Sequence, residues 1–198
     1  MTNPDFLNWK ELFVSESNRI DPQPGYLGNS SGCPMYENHM SALNFALSSD
    51  FELKESTPLD VHRLLTKGIP FFEDCNMSGQ YRTTSVWIGI DMCPKFVLLP
   101  SLMMQWYECT KKWMDSCQDK KSAYNIAWAS HNMFEVVHPF IDGNGRTGRL
   151  LFNKVLVELG CDPVIFQFDD RYEYYECIQE FRNSYWNGMQ FDFTSLKL

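Results

Sequence analysis

His138-Pro139-Phe140-Ile141-Asp142-Gly143-Asn144-Gly145-Arg146-Thr147-Gly148-Arg149 is the stretch on which the fold and the chemistry of this chain turn. Its three glycines satisfy G-x-G-x-x-G, the spacing of a dinucleotide-binding turn. That motif needs a buried strand before it, inside a βαβ unit. Here the preceding Ala123, Ile126, Ala127, Met133, Phe134 and Val137 recur at three- and four-residue steps, so a helix leads in, and Pro139 follows it. The absence of a Gly-Lys-Ser/Thr after the glycines excludes a Walker A loop. The stretch reads as a loop joining two helices.

The physics of that loop points to an anion as its ligand. Gly143 and Gly145 permit torsions that turn successive N–H groups inward, and a helix beginning near Asn144 adds its positive N-terminal end. Arg146 and Arg149, three apart, share one face of the helix's first turn. Amides and two guanidinium forks suit a di- or triphosphate. Asp142 sits at the mouth, where one carboxylate and phosphate oxygens hold Mg²⁺. His138, ending the previous helix, is a candidate general base. Each residue has a plainer alternative: Asp142 as a turn or N-cap residue, the arginines as partners of surface acids, His138 as a helix cap. Their joint occurrence within 12 residues is what points to nucleotide chemistry.

Composition bounds the rest. The chain has 198 residues, of which 44% are hydrophobic and 15% aromatic, enough for a sizeable core and unlike a disordered segment. A formal net charge of −8 argues against a nucleic-acid coating protein, so any polyanion must be held by a local cluster of cations and amides. No apolar run approaches the roughly 18 to 20 residues of a bilayer span, and Met1 to Lys10 are polar. The expectation is a soluble cytoplasmic protein without a cleaved signal and without membrane partners; a secreted effector acting in a host cytosol is compatible. Seven cysteines, an odd number with no C-x-x-C, read as reduced thiols used as small buried hydrophobes.

Outward from the motif the chain is mostly helical. Helices are expected over Met1–Arg19, ended by Pro22 and Pro24, over Glu37–Ser48, over Pro58–Gly68, over Leu102–Cys117 and over Ser122–Val137. Another runs through Leu150, Leu151, Val155 and Leu156 to Gly160, and an aromatic last helix spans Arg171–Trp186. Tyr81–Ile88, dense in β-branched and aromatic residues, pairs with Lys95–Leu99 across a turn at Gly89–Pro94 as a β-hairpin. His131 reads as a core or hydrogen-bonded histidine. His39 and His62 have no evident partner, and the aromatic tail Phe181–Phe193 reads as core or a self-association surface.

The stretch HPFIDGNGRTGR resembles, position for position, the H-x-F-x-D/E-G-N-G-R-x-x-R signature of the Fic family, whose members mostly transfer AMP from ATP to protein hydroxyls. Gly79-Gln80-Tyr81-Arg82 through Gly89 is similar to the family's flap hairpin, and Arg171-Tyr172-Glu173-Tyr174-Tyr175 to its later helix. The resemblance implies a mainly α fold, a Fic-type helical bundle with a small β-hairpin flap. Residues 1–54 form an N-terminal helical segment with a degenerate inhibitory-like motif, and 55–198 the Fic core, together one compact unit.

Carried to matching positions, the resemblance implies that His138 deprotonates a target Ser, Thr or Tyr hydroxyl and that Asp142 holds Mg²⁺. Gly143, Asn144, Gly145 and Arg146 bind the phosphates of ATP and Arg149 the γ-phosphate, while Phe140 packs in the core and orients the loop. Tyr175 and Asn183 are expected on the adenine side. The flap, Tyr81, Arg82, Thr83, Thr84, Ser85, Val86, Trp87 and Ile88, docks the target backbone as an added strand. The expected partner is a protein with an accessible hydroxyl, self-modification being compatible and the oligomeric state open. Ser17-Asn18-Arg19-Ile20-Asp21-Pro22 stands where many members carry an inhibitory S/T-x-x-x-E-G/N helix, with aspartate for glutamate and proline for Gly/Asn. Aspartate is one methylene shorter and an Asp-Pro turn explains the same residues, so inhibition of the usual form through Ser17 and Asp21 is expected to be weak or absent. Alternatives within the resemblance are another nucleotide donor, or an idle nucleotide- or partner-binding module.

Overall fold

The computed structural model describes residues 4–20, 32–50, 52–193, 196 and 198. In chain order these form α1 (Pro4–Ile20), α2 (Pro34–Ala46), α3 (Thr57–Thr66), a short α4 (Pro70–Asp74), the strands β1 (Trp87–Ile88) and β2 (Asp91–Met92), a 3-10 turn at Phe96–Leu98, α5 (Leu99–Asp115), α6 (Lys120–Val137), α7 (Asn144–Glu158) and α8 (Arg171–Tyr185). The protein is mainly α, as expected. Prolines stand in the first turn of α2, α3, α4 and α5, where a missing N–H costs nothing.

The bundle is organised around α6, which packs against α5, α7 and α8. Its start is set by a capping box: Ser122 N–H donates to the Asp119 carboxylate at 2.7 Å, and Asp119 N–H donates to Ser122 Oγ at 3.0 Å. Ala123, Ile126, Ala127, Met133, Phe134 and Val137 are all buried, the face that their spacing announced. One hydrophobic core runs from Phe13 and Val14 of α1 through Ala42 and Leu43 of α2 to Trp106, Phe134, Leu150 and Phe152. Among the described residues no helix is long and apolar enough to cross a membrane.

Three expectations need correction. The hairpin is far shorter than its β-prone sequence suggests, pairing only Trp87 with Met92 and Ile88 with Asp91, plus Cys93 N–H donating to Val86 O at 3.0 Å. Gly89, at φ +59°, occupies the first of the two turn positions, where an L side chain would be strained. Lys95–Leu99 is not the second strand; it forms the 3-10 turn and enters α5, because Pro94 lacks a ladder donor and Pro100 preorganises the helix start. Finally, the cysteines are all unpaired, but only Cys93 and Cys161 are buried, while Cys75 and Cys177 are exposed.

Candidate active site

The motif loop is bounded by two left-handed residues. Helix α6 ends where His138 adopts φ +50°, ψ +61°, its N–H closing on Phe134 O at 2.9 Å, and α7 begins after Gly143 at φ +79°. A non-glycine residue at such a φ persists only where its surroundings over-determine it. Those surroundings are visible here. Asn144 Oδ1 accepts from Phe140 N–H at 2.8 Å, and its Nδ2 donates to Phe140 O at 2.9 Å, tying the loop to itself. The Asn144 side chain, expected on phosphate, is thus turned inward, and what this residue offers an anion is its place at the α7 N-terminus.

Two side chains outside the motif hold the loop from below. Arg82 is 1% exposed; its Nε donates to His138 O at 2.8 Å, and Nη2 to Val137 O at 3.4 Å and Pro94 O at 2.7 Å. Nη1 reaches Thr84 O at 2.9 Å, and the Arg82 N–H donates to Pro139 O at 2.9 Å. Arg82 was expected on the target-docking face; it is instead the bracket that joins the hairpin's root to the histidine's backbone. A buried guanidinium tolerates this position because backbone carbonyls meet its donors. Beneath Gly143 lies His62, fully buried and stacked face to face on Phe140 with ring centroids 3.8 Å apart. Burial, partly opposed by the Asp142 backbone bond, pushes the His62 imidazole down to about 3, so it is neutral at physiological pH.

Above the loop opens a cleft of about 1080 Å³. His138, Asp142, Gly143, Asn144 and Gly145 form one wall, Trp87 to Asp91 of the hairpin another, and Tyr172, Tyr175 and Gln179 of α8 a third. That is the size of a small-molecule site with a few convergent polar groups. His138 Nδ1 lies 3.3 Å from Glu135 O, and since a carbonyl only accepts, the neutral form of the ring has its proton on Nδ1 and its lone pair on Nε2. The Glu135 carboxylate, 4.0 Å from the same ring, is buried against Gly148, where a Cβ would collide with Glu135 Oε1.

The two motif arginines are buried, Arg146 at 2% and Arg149 at 0% exposure. Arg146 Nη2 lies 3.6 Å from Asp142 Oδ2. Arg149 donates to the end of α1, Nε to Ser17 Oγ and Nη2 to Ser17 O, both at 2.8 Å, and Nη1 reaches Tyr174 Oη at 3.5 Å. Asp21 lies outside the described residues. Tyr175 lines the cleft and donates its hydroxyl to Ile20 O at 3.1 Å. Asn183 does not reach the cleft: it is exposed two turns further along α8, accepting from Gln179 Nε2 at 3.2 Å.

These donors fit a nucleotide and a hard cation. Asp142 supplies one half-exposed carboxylate oxygen set beside a helix N-terminus, the arrangement in which Mg²⁺ completes its octahedron with phosphate and water. Among the described residues no three acidic, histidine or cysteine side chains converge on one point to cage a metal.

His62 and Tyr174 went unassigned in the sequence. For His62 a signal existed: Pro58, Val61, His62 and Leu65 fall on one helical face, and all are buried. Tyr174 Oη meets His131 Nε2 at 3.0 Å, so His131 is the hydrogen-bonded core histidine expected of it, and His39 Nδ1 donates to Asn18 Oδ1 at 2.7 Å.

Comparison with known proteins agrees with this architecture. The Fic/DOC family matches residues 52–156. A protein adenylyltransferase Fic of Nematostella vectensis is 32% identical over 145 residues, covering 70% of this chain and 32% of that protein. That of Drosophila grimshawi is 33% identical over 141 residues, covering 71% and 28%. The chain therefore spans about a third of the length of these curated relatives. Among solved structures, a Fic domain containing signaling protein from Bacteroides thetaiotaomicron superposes with a TM-score of 0.71 at 21% identity, covering 89% of this chain and 75% of that one. Fic-1 from C. elegans gives 0.65 at 23% identity over 91% and 56%, likenesses that speak to the fold. With more than half its length matched by the family and the motif loop, hairpin and bundle in place, the chain belongs to the Fic/DOC family.

Proposed function

We propose that this protein is a Mg²⁺-dependent adenylyltransferase that transfers AMP from ATP to a hydroxyl side chain of a target protein. The observation that carries the reading is His138, its tautomer set by the Glu135 carbonyl so that Nε2 holds a lone pair in a cleft that opens on the α7 N-terminus. The target oxygen bonds to the α-phosphorus, the bond to the bridging oxygen breaks, pyrophosphate leaves with that electron pair, and the hydroxyl proton passes to His138 Nε2. Bound Mg²⁺ would neutralise charge on the phosphate oxygens. Asp142 would hold it, the amides of Gly143, Asn144 and Gly145 would cradle the phosphates, and Arg146, buried on α7 beside Asp142, would add positive charge behind them. Tyr172 and Tyr175 offer flat surfaces for the base.

A protein target suits the hairpin. Trp87 is 59% exposed and Ile90 98%, with Ile88 and Met92 beside them, and β1 has one edge unused by β2. An extended segment could add there as a strand. The acidic overall charge is unfavourable for nucleic acid, and a cytoplasmic location is compatible with seven unpaired thiols.

The test is donor labelling. With Mg²⁺ and a protein extract, label at the α-phosphorus of ATP is expected on protein, and label at the γ-phosphorus is not. Transfer of γ-label would replace AMP by phosphate as the group moved. A second reading, a resting or idle nucleotide-binding domain, is favoured by one observation: two hydrogen bonds from Arg149, the expected γ-phosphate ligand, go to Ser17. ATP binding without transfer of any label would support it. A many-fold rise in transfer on Ser17→Gly would identify α1 as the restraint, and one on Asp21→Gly would overturn the expectation that Asp21 inhibits weakly.

A further inference from the structure

His62 lies on α3, outside the signature, yet it bonds to the backbone of the motif loop and stacks on its Phe140. Its Nδ1 accepts from Gly79 N–H at 3.0 Å. A neutral imidazole carries one proton, so with Nδ1 accepting, the proton is on Nε2, which donates to the Asp142 carbonyl at 3.0 Å. Both ring nitrogens are thus committed, and their roles are fixed by a backbone amide that only donates and a carbonyl that only accepts. The ring plane is fixed as well, lying 7° from that of Phe140 and meeting Phe72 edge-on at 5.6 Å.

The amide that sets this tautomer is itself placed by a close approach. Gly79, at φ +65°, packs so tightly on α3 that a Cβ would stand 2.8 Å from Arg63 Cβ and 2.9 Å from Leu59 O. Thr66 Oγ1, bonded to His62 O at 2.7 Å and to Ser78 Oγ at 2.8 Å, ties the same segment to the same helix turn. From Gly79 the chain runs directly into Arg82. Segment 79–82 therefore grips the motif loop at both ends, at Asp142 through His62 and at His138 through Arg82.

We propose that His62 is a positioning residue for the metal site, orienting Asp142 through its backbone carbonyl so that the carboxylate meets Mg²⁺ and the nucleotide phosphates. This rests on the reading of Asp142 as the Mg²⁺ ligand given above. Partners that orient a metal ligand characteristically change metal affinity by about 10- to 100-fold when removed. A residue that served only to fill the core would change nucleotide binding with and without metal alike.

The experiment measures ATP binding calorimetrically to the full chain, in Mg²⁺ and in EDTA, for the wild type, His62→Phe, His62→Gln and Asp142→Asn. Phenylalanine keeps the stack on Phe140 and removes both hydrogen bonds, whereas glutamine restores an N–H within reach of the Asp142 carbonyl. The expected result is that Mg²⁺ tightens ATP binding to the wild type, that Asp142→Asn loses this gain, and that His62→Phe loses about tenfold or more of it. Metal-free affinity stays within about twofold, and His62→Gln recovers most of the gain. Should His62→Phe not fold, His62→Asn, too short to reach the carbonyl, carries the same expectation. A full Mg²⁺ gain in His62→Phe alongside its loss in Asp142→Asn overturns the role of His62, as does an equal loss with and without metal. A full gain in Asp142→Asn overturns the metal-ligand reading itself and this proposal with it.

Discussion

The motif loop and the hairpin face each other across the cleft and are built on opposite principles. From 138 to 149 nearly every residue is buried or half-buried, and the loop's backbone is held by Asn144 from within and by Arg82 and His62 from outside. From 87 to 92 the side chains other than that of Asp91 are exposed, the ladder has two residue pairs, and Arg182 Nη2 of the bundle donates to Met92 O at 2.7 Å. Under the proposed mechanism the rigid region is the one in which proton transfer would need geometry, since a misplacement of about 1 Å costs about 10²-fold in rate. Adaptable apolar surface is placed where a second chain would dock. Arg82 belongs to both regions and ties the hairpin's root to the histidine's backbone.

The contrast is broken most strongly at His138. His138→Ala should lower AMP transfer by about 10² to 10⁴ while leaving ATP binding and thermal stability near wild type, read by labelling and calorimetry. An unchanged rate would remove it as the base. Next in size is Arg82→Met, which leaves the carbonyls of His138, Thr84 and Pro94 without this donor and should cost about 3 kcal/mol of stability in urea denaturation. A loss below about 0.5 kcal/mol would show the bracket to be incidental.

Gly148→Ala probes the rigid side by overpacking. The new methyl would meet the Glu135 carboxylate and the His131 ring, at 3.0 Å from His131 Cε1, and should cost about 1–3 kcal/mol, again by denaturation.

A subtler effect concerns pH. Burial first, and then the charges of Arg146 and Arg149, hold the His39 imidazole well below its ordinary 6.5, while its described contacts are neutral, Asn18 and the edge of Phe13. The unfolded chain therefore binds a proton below pH 6.5 that the native state refuses, and stability from this group falls as pH drops through that range. The slope is at most about 1.4 kcal/mol per pH unit. His39→Gln should flatten the stability profile between pH 6.5 and acid; an unchanged profile would contradict the assignment. The smallest effect belongs to the hairpin: Ile90→Ser should change stability by less than about 0.5 kcal/mol while raising KM for a protein target, leaving KM for ATP alone.

How far the sequence could be read follows the range of the forces concerned. Helix α6 was legible because its apolar period is local, whereas the capping box that starts it at Asp119 was seen only in the structure. The start of α7 near Asn144 was legible because the glycines and the helical residues that follow them are near neighbours in the chain. The hairpin was overextended because β-propensity along Tyr81–Ile88 says nothing of whether a partner strand is available, and the side chain of Arg82 turns into the core once helix-end carbonyls await it. Asn183 lies one turn beyond the cleft-lining Gln179, since a helix period gives a face and not the height of the cleft along it.

The sequence by itself determined the helical bundle, the loop between α6 and α7 and the chemical identity of the groups at its rim, since each depends on neighbours within a few residues. Only the tertiary structure decided which protonation state and which orientation those groups hold. His138 receives its tautomer from a carbonyl one turn back, but its left-handed backbone is braced by Arg82 from 56 residues away, and Asp142 is held by His62 from 80 residues away. Arg149 meets Ser17 across 132 residues. Hydrogen bonds have no period along a chain, and their partners become known only when packing has brought them within about 3 Å.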